Sequence, residues 1–256
     1  MKPDWKSLCL ALLILGMGGP SAARADTLLV AVASNFTTTL EDIAARFEAQ
    51  TGHDVRITAA STGVHYAQIV NGAPFDIVLS ADAERPRLLE EGDYGIEGTR
   101  FTYASGRLVL WSTDPALVDG EGTVLESGQF QRLAVANPDT APYGLAAQQV
   151  LEALGLLPAV ASRLVTGTNI TQTHQFVASG AASLGLVALA QVAAPGVEVR
   201  GSYWIVPETL YQPIEQQALL LKDTEAGRAF MTFLASAEIR QLIRSYGYGV
   251  PEAGSP

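Results

Sequence analysis

Four short stretches of this 256-residue chain hold the side chains best placed to do chemistry together: Ser34-Asn35, Ser61-Thr62-Gly63, Pro138 to Tyr143-Gly144, and Thr168-Asn169-Ile170. Each follows an apolar, strand-like run and precedes a helix-like one, and none carries Lys, Arg or a cluster of acids. Helix N-termini offer unpaired backbone N–H groups and the positive end of the helix dipole. Several aimed at one point bind an anion without any cationic side chain. Hydroxyls on Ser34 and Thr62 add donors. Neutral donors suit a fully deprotonated oxyanion, whereas a protonated one such as hydrogen phosphate also needs an acceptor. The competing reading is an ordinary N-cap, and it is the better account of any single turn taken alone. Both readings use the same donors, so physics leaves the pair open.

Other chemistries find less support. His53, His65 and His174 are scattered without metal-ligand spacing. His53 reads as solvated, His65 as a surface residue beside the Ser61-Thr62 turn, and His174 as a packing or capping residue. The chain has no G-x-S-x-G elbow and no P-loop. Asp76 and Asp82 flank an apolar strand and read as surface or turn-stabilising residues. A serine hydrolase built on Ser34 or Ser61 is an alternative, but only His65 is close in sequence and no orienting acid is evident. An organic acid usually requires arginine on its carboxylate, and Arg56, Arg85, Arg107 and Arg163 stand away from the four turns. Sulfate or another oxyanion is the alternative ligand within a binding role.

The elements that must position these turns follow from hydrophobic periodicity. Strands are expected at Leu28–Ala33, "DVRITAA", "FDIVLSAD", "LVLWS", "LAVAN", "RLVTG", "LGLVALA", "VEVR", "YWIV" and "QQALLL". Helices are expected after Ser34-Asn35 up to Thr51-Gly52, around Tyr66–Val70, over Glu84–Glu91, from Pro142 to Gly155, over Ile170–Ser179, and twice within Thr224–Tyr246. The βαβα alternation predicts parallel sheets flanked by helices. Ten strands in this length favour two α/β lobes over one very wide sheet. Ligands of such folds bind beyond the carboxyl ends of the strands, where all four turns fall. Tyr66, Tyr94, Tyr103, Trp111, Tyr203, Trp204 and Tyr211 read as core or inter-lobe packing.

Residues 1–25 read as an export signal. Lys2 and Lys6 precede the apolar "LCLALLILGMGG", and "ARA" suggests cleavage between Ala25 and Asp26. A retained anchor is the alternative, disfavoured by the short apolar run. Cys9, inside this segment and away from the cleavage site, is poorly placed for a lipid anchor. The 231 residues that remain contain no cysteine, which fits a bacterial periplasm and excludes disulfide or thiolate chemistry there. They carry 13 Lys+Arg against 25 Asp+Glu, a net charge of −12. Such a surface disfavours nucleic acid or an anionic membrane as partner.

The stretches "VAVASNFTTTLEDIAARFEAQTG", "ASTGVHYAQIVNGAPFDIVLSAD", "NPDTAPYGLAAQQVLEALG" and "ASGAASLGLVALAQ" resemble periplasmic molybdate-binding proteins of ABC transporters, over roughly Thr27 to Pro251. The resemblance implies a type II periplasmic binding fold, with lobe I over 26–105 and 215–256 and lobe II over 106–214. The chain would cross near Gly106 and return near Ile214, with an oxyanion in the cleft. It implies that Ser34 gives a hydroxyl and a backbone N–H, that Asn35 adds a donor, and that Thr62 stands where the family commonly has Ser, beside Ser61. Tyr143 and Ile170 would give backbone N–H groups. Molybdenum or tungsten would be held through its oxygens, with no direct protein ligand and no cofactor. The implied partners are molybdate or tungstate and an inner-membrane permease, and the implied role is that of a monomeric binding protein and not an enzyme. Some members place a ligand-contacting Tyr where this chain has Ala188, and Asn35 is the candidate substitute.

Overall fold

The computed structural model describes residues 25–251. The expected leader, with Cys9, lies outside the described residues except for Ala25. Ten strands form two five-stranded sheets. The first has the order β2-β1-β3-β10-β4, from β1 (Thr27–Ala33), β2 (Asp54–Ala60), β3 (Ile77–Leu79), β10 (Ile214–Leu220) and β4 (Phe101–Gly106). The second has the order β7-β6-β8-β5-β9, from β7 (Leu164–Gly167), β6 (Leu133–Ala136), β8 (Leu184–Ala188), β5 (Leu108–Ser112) and β9 (Ser202–Ile205). The molecule is therefore a two-lobe α/β fold.

The sheets are mixed, which corrects the parallel expectation. β1 pairs parallel with β2 and β3, but β10 is antiparallel to both β3 and β4. Likewise β6 pairs parallel with β7 and β8, while β5 is antiparallel to β8 and β9. One strand is thus reversed in each sheet, always the fourth in order. Both are the strands that follow a change of sheet: β4 passes to β5 through Arg107, and β9 leads to β10.

Helices α1 (Thr37–Thr51), α9 (Glu225–Leu234) and α10 (Ala237–Ser245) cover one face of the first sheet. Their apolar stripes bury Leu40, Ile43, Phe47, Phe230, Leu234, Ile239 and Ile243 against Val30, Val32 and Leu79. Each such side chain contributes about 1.5–3 kcal/mol when withdrawn from water. Helices α2 (Thr62–Val70) and α3 (Glu84–Glu91) close the other face over Ala31, Val78 and Leu219. In the second lobe α4 (Val124–Ser127), α5 (Pro142–Ala153), α6 (Leu157–Val160), α7 (Ile170–Ala178) and α8 (Leu189–Val192) enclose Leu108, Leu110, Val150, Val177 and Leu186. Gly52, in the left-handed region at φ 75°, ends α1.

Several elements differ from expectation. "VEVR" (197–200) is not a strand, and Phe101–Gly106, too rich in small and polar residues to stand out, is one. "FDIVLSAD" pairs only over Ile77–Leu79, and "LGLVALA" turns into α8 after Ala188. Asp76 is buried rather than superficial: it accepts from the Leu29 N–H and pairs with Lys222 at 2.9 Å, tying β1 to the end of β10. Asp82 accepts from the Arg85 backbone and pairs with its guanidinium at the start of α3. Tyr94 is exposed, unlike the packed Tyr103, Trp111 and Tyr211.

Candidate functional site: an uncharged cavity between the lobes

A small cavity of about 10 Å³ lies where the two sheets face each other. Its walls are Ala33, Ser34, Asn35, Ser61, Thr62, Ala81, Ala141, Pro142, Tyr143 and Ile170. All six residues singled out from the sequence meet there, on two segments from each lobe. No charged side chain lines it. Organic ligands of drug size fill roughly 300–1,000 Å³, far more than this space holds, which leaves room for nothing larger than a small ion.

The helix starts separate the capping reading from the binding one. A plain cap would spend its side chain on the helix's own N–H groups. Ser61 precedes α2 and Ala141 precedes α5, and neither makes a side-chain cap bond. The turn Ser34–Phe36 that leads into α1 is likewise uncapped. At the fourth, Asn169 is a true cap whose Oδ1 accepts from the Gln172 N–H at 2.9 Å. The Ser34 and Ser61 hydroxyls are buried without any hydrogen-bond partner among the described residues. A buried unpaired hydroxyl costs about 1–3 kcal/mol, a cost that neither capping nor packing explains for the two at this cavity. The backbone N–H groups of Thr62, Tyr143 and Ile170 also have no partner among the described residues.

Thr62 shows how a hydroxyl is aimed. Its Oγ1 accepts from the Ala81 N–H at 3.0 Å, which leaves its own proton free to donate. For Asn35 the sequence leaves open whether the side chain or the backbone donates, and the structure commits the side chain elsewhere. Its Nδ2 donates to Gln216 Oε1 at 2.9 Å and to Tyr248 Oη at 3.2 Å, so both amide protons are spent inside the protein. The Tyr143 phenol likewise turns away from the cavity and accepts from Gln216 Nε2 at 3.4 Å. Gln216 and Tyr248 behind the cavity are not singled out from the sequence, and Tyr103 reads there only as packing. The available signal was Gln216-Gln217, two amides beside Glu215 in a strand that otherwise buries Ile214, Ala218, Leu219 and Leu220.

The lobes also touch directly around the cavity. Gly63 N–H donates to Thr140 O at 2.9 Å, Thr171 Oγ1 to Ser34 O at 3.0 Å, and Arg85 Nη2 to Asp139 O at 3.0 Å. A Cβ on Gly63 would stand 3.0 Å from Thr140 Cα, so glycine permits this approach. The site is closed: Ser34, Ser61, Thr62 and Ile170 are each no more than 6% exposed.

No hydrolase geometry accompanies the serines. His65, expected at the surface, is buried, with Nε2 3.0 Å from Val32 O and Nδ1 3.1 Å from Gln68 Oε1. Burial pushes its pKa below the usual histidine value. His174 stacks on Trp111 with ring centroids 4.6 Å apart, and His53 accepts from the Asp26 N–H. Arg56, Arg107 and Arg163 bind Asp54, Glu208 and the Gly128 and Phe130 carbonyls, all outside the cavity.

The profile of the bacterial extracellular solute-binding proteins matches residues 28–249. The molybdate-binding protein ModA of Azotobacter vinelandii is 48% identical over 95% of this chain and 99% of its own. The chain belongs to the molybdate-binding family of bacterial extracellular solute-binding proteins. ModA of Rhodobacter capsulatus is 45% identical over 92% of each chain. The solved periplasmic molybdate-binding protein of Azotobacter vinelandii superposes with a TM-score of 0.85 at 44% identity, covering 88% of this chain and all of that one. Family membership of this extent makes a solute-binding role the setting for the cavity.

Proposed function

We propose that this protein captures molybdate, and tungstate with it, in the periplasm and delivers it to an ABC permease of the inner membrane. The observation that carries this reading is the uncharged cavity with its two unpartnered serine hydroxyls. Ser34, Ser61 and Thr62 donate by hydroxyl, and Asn35, Thr62, Tyr143 and Ile170 by backbone N–H. The metal is held through its oxygens and needs no protein ligand or cofactor. Four helix starts at roughly +0.5 charge each supply about +2 against a dianion, without the desolvation of any cationic side chain. Sulfate is a smaller tetrahedron, and donors fixed for the larger ion cannot all reach it. The ligand bridges the lobes and so favours the closed form, which is what a permease would read.

Lobe I takes residues 26–105 and 215–256 and lobe II takes 106–214, supported by the changes of sheet at Arg107 and before β10. The leader is removed near Ala25/Asp26, and the product acts as a monomer. Calorimetric titration of the processed chain with molybdate, tungstate and sulfate side by side tests the reading. The first two are expected to bind at one site and sulfate far more weakly. Absence of heat with molybdate and tungstate would falsify it.

A further inference from the structure

We propose that Gln216 is a positioning residue that joins the two halves of the oxyanion site through a directed hydrogen-bond relay, so that the hinge and the cavity close together. The inference rests on the molybdate reading and deepens it. Gln216 is fully buried on β10, the strand by which the chain re-enters the first sheet. Its two amide ends face opposite lobes. Oε1 accepts from Asn35 Nδ2 at 2.9 Å on the cavity wall of the first lobe. Nε2 donates to the Tyr143 hydroxyl at 3.4 Å, on the helix whose start forms the cavity wall of the second.

The direction of each bond is fixed by proton counting. The Tyr248 hydroxyl donates to the Asn35 carbonyl at 2.8 Å, so its one proton is spent and it must accept from Asn35 Nδ2. The amide nitrogen of Asn35 therefore faces inward, and Gln216 must meet it with oxygen. That choice turns Gln216 Nε2 toward Tyr143. Tyr103 Oη, 3.1 Å from Gln216 Oε1, can add a second donor. Gly106, at the other crossing, makes room: a Cβ there would overlap the Tyr143 hydroxyl and stand 2.9 Å from Gln216 Nε2. Both crossing segments thus meet at one amide. Without it, Asn35 loses the partner that orients the Ser34-Asn35 turn, and Tyr143 loses its link to the first lobe.

The test compares the parent with Gln216→Leu, Gln216→Glu and Tyr143→Phe by molybdate titration at about pH 8 and about pH 6, with thermal unfolding as a folding control. Leucine is expected to weaken binding about tenfold or more, because hydrogen bonds are lost on both sides of the cleft. Tyr143→Phe, which removes only the long bond, is expected to cost no more than about threefold. The glutamate variant supplies a readout that a packing role would not move. Protonated, its carboxyl has one acceptor and one donor, as the amide has; ionised, it has only acceptors and sits near a dianion. Its affinity relative to the parent is therefore expected to recover as pH falls. The titratable groups facing it are Tyr103, Tyr143 and Tyr248, all held far above their ordinary pKa by burial and so neutral throughout. Binding within twofold of the parent in both Gln216 variants overturns the proposal. So does a loss in Gln216→Glu that is the same at both pH values, which decides the matter even if Gln216→Leu fails to fold. No binding by the parent itself removes the molybdate reading and this inference with it, a pattern distinct from a parent that binds and variants that match it.

Discussion

Ser34 and Thr62 present hydroxyls to the same cavity but stand in opposite energetic positions. Ser34 Oγ has no partner in the fold, so Ser34→Ala removes a buried group that the unliganded protein does not use. The unliganded melting temperature is expected to hold or rise, while the shift induced by molybdate shrinks. Thr62 Oγ1 anchors the Ala81 N–H, so Thr62→Val orphans a buried donor and is expected to cost about 1–3 kcal/mol of stability as well as affinity. Melting curves with and without ligand separate the two cases. His65 and His174 give a pH signature: burial lowers both below the usual histidine value of about 6.5. Below that value the unfolded chain binds more protons than the native one, so stability falls as pH drops from about 7 toward 5. Melting temperatures of His174→Gln across this range are expected to fall less steeply than the parent's. The hydroxyls were legible in the sequence because each sits at a strand end before a helix. The commitment of Asn35 was not, because its partners Gln216 and Tyr248 lie 181 and 213 residues away, and no local pattern encodes such a pairing.

Among the elements, the four helix starts are unequal. Of the four, only α7 is capped by a side chain, Asn169, whose Oδ1 accepts from the Gln172 N–H one turn in from Ile170. Asn169→Ala is expected to lose about 1 kcal/mol of stability and to weaken binding, measured by unfolding and titration on the same preparation. Periodicity made most helices readable, and Glu84–Glu91 coincides with α3. It failed where tertiary context decides. Val197–Arg200 alternates as a strand should, yet the edge of the second sheet is taken by β9. β4, with Ala104, Ser105 and Gly106, lacks an apolar signature because one of its jobs is to pass close to Tyr143 and Gln216. Strand direction left no trace either, since a two-residue period is the same whichever way a strand runs.

For the whole molecule, closure is the property that matters. Gly63→Ala places a Cβ 3.0 Å from Thr140 Cα, on a backbone that cannot swing aside as a flexible side chain would. Each lobe is expected to remain folded while the closed form is lost, seen as weaker molybdate binding and a larger radius of gyration by small-angle scattering with ligand present. The acidic surface is a separate matter. Exposed charges act over about 8–10 Å at physiological salt, and the cavity wall holds none, so affinity is expected to change little as salt is raised. The cross-lobe bonds at Gly63, Arg85 and Thr171 lie around the cavity, so an ion held there would leave only as the lobes part. How long that ion stays is then governed by how often the lobes part, and molybdate and tungstate should share one dwell time wherever parting is the slow step. A permease that pries the lobes apart would set the tempo of unloading without touching the ion.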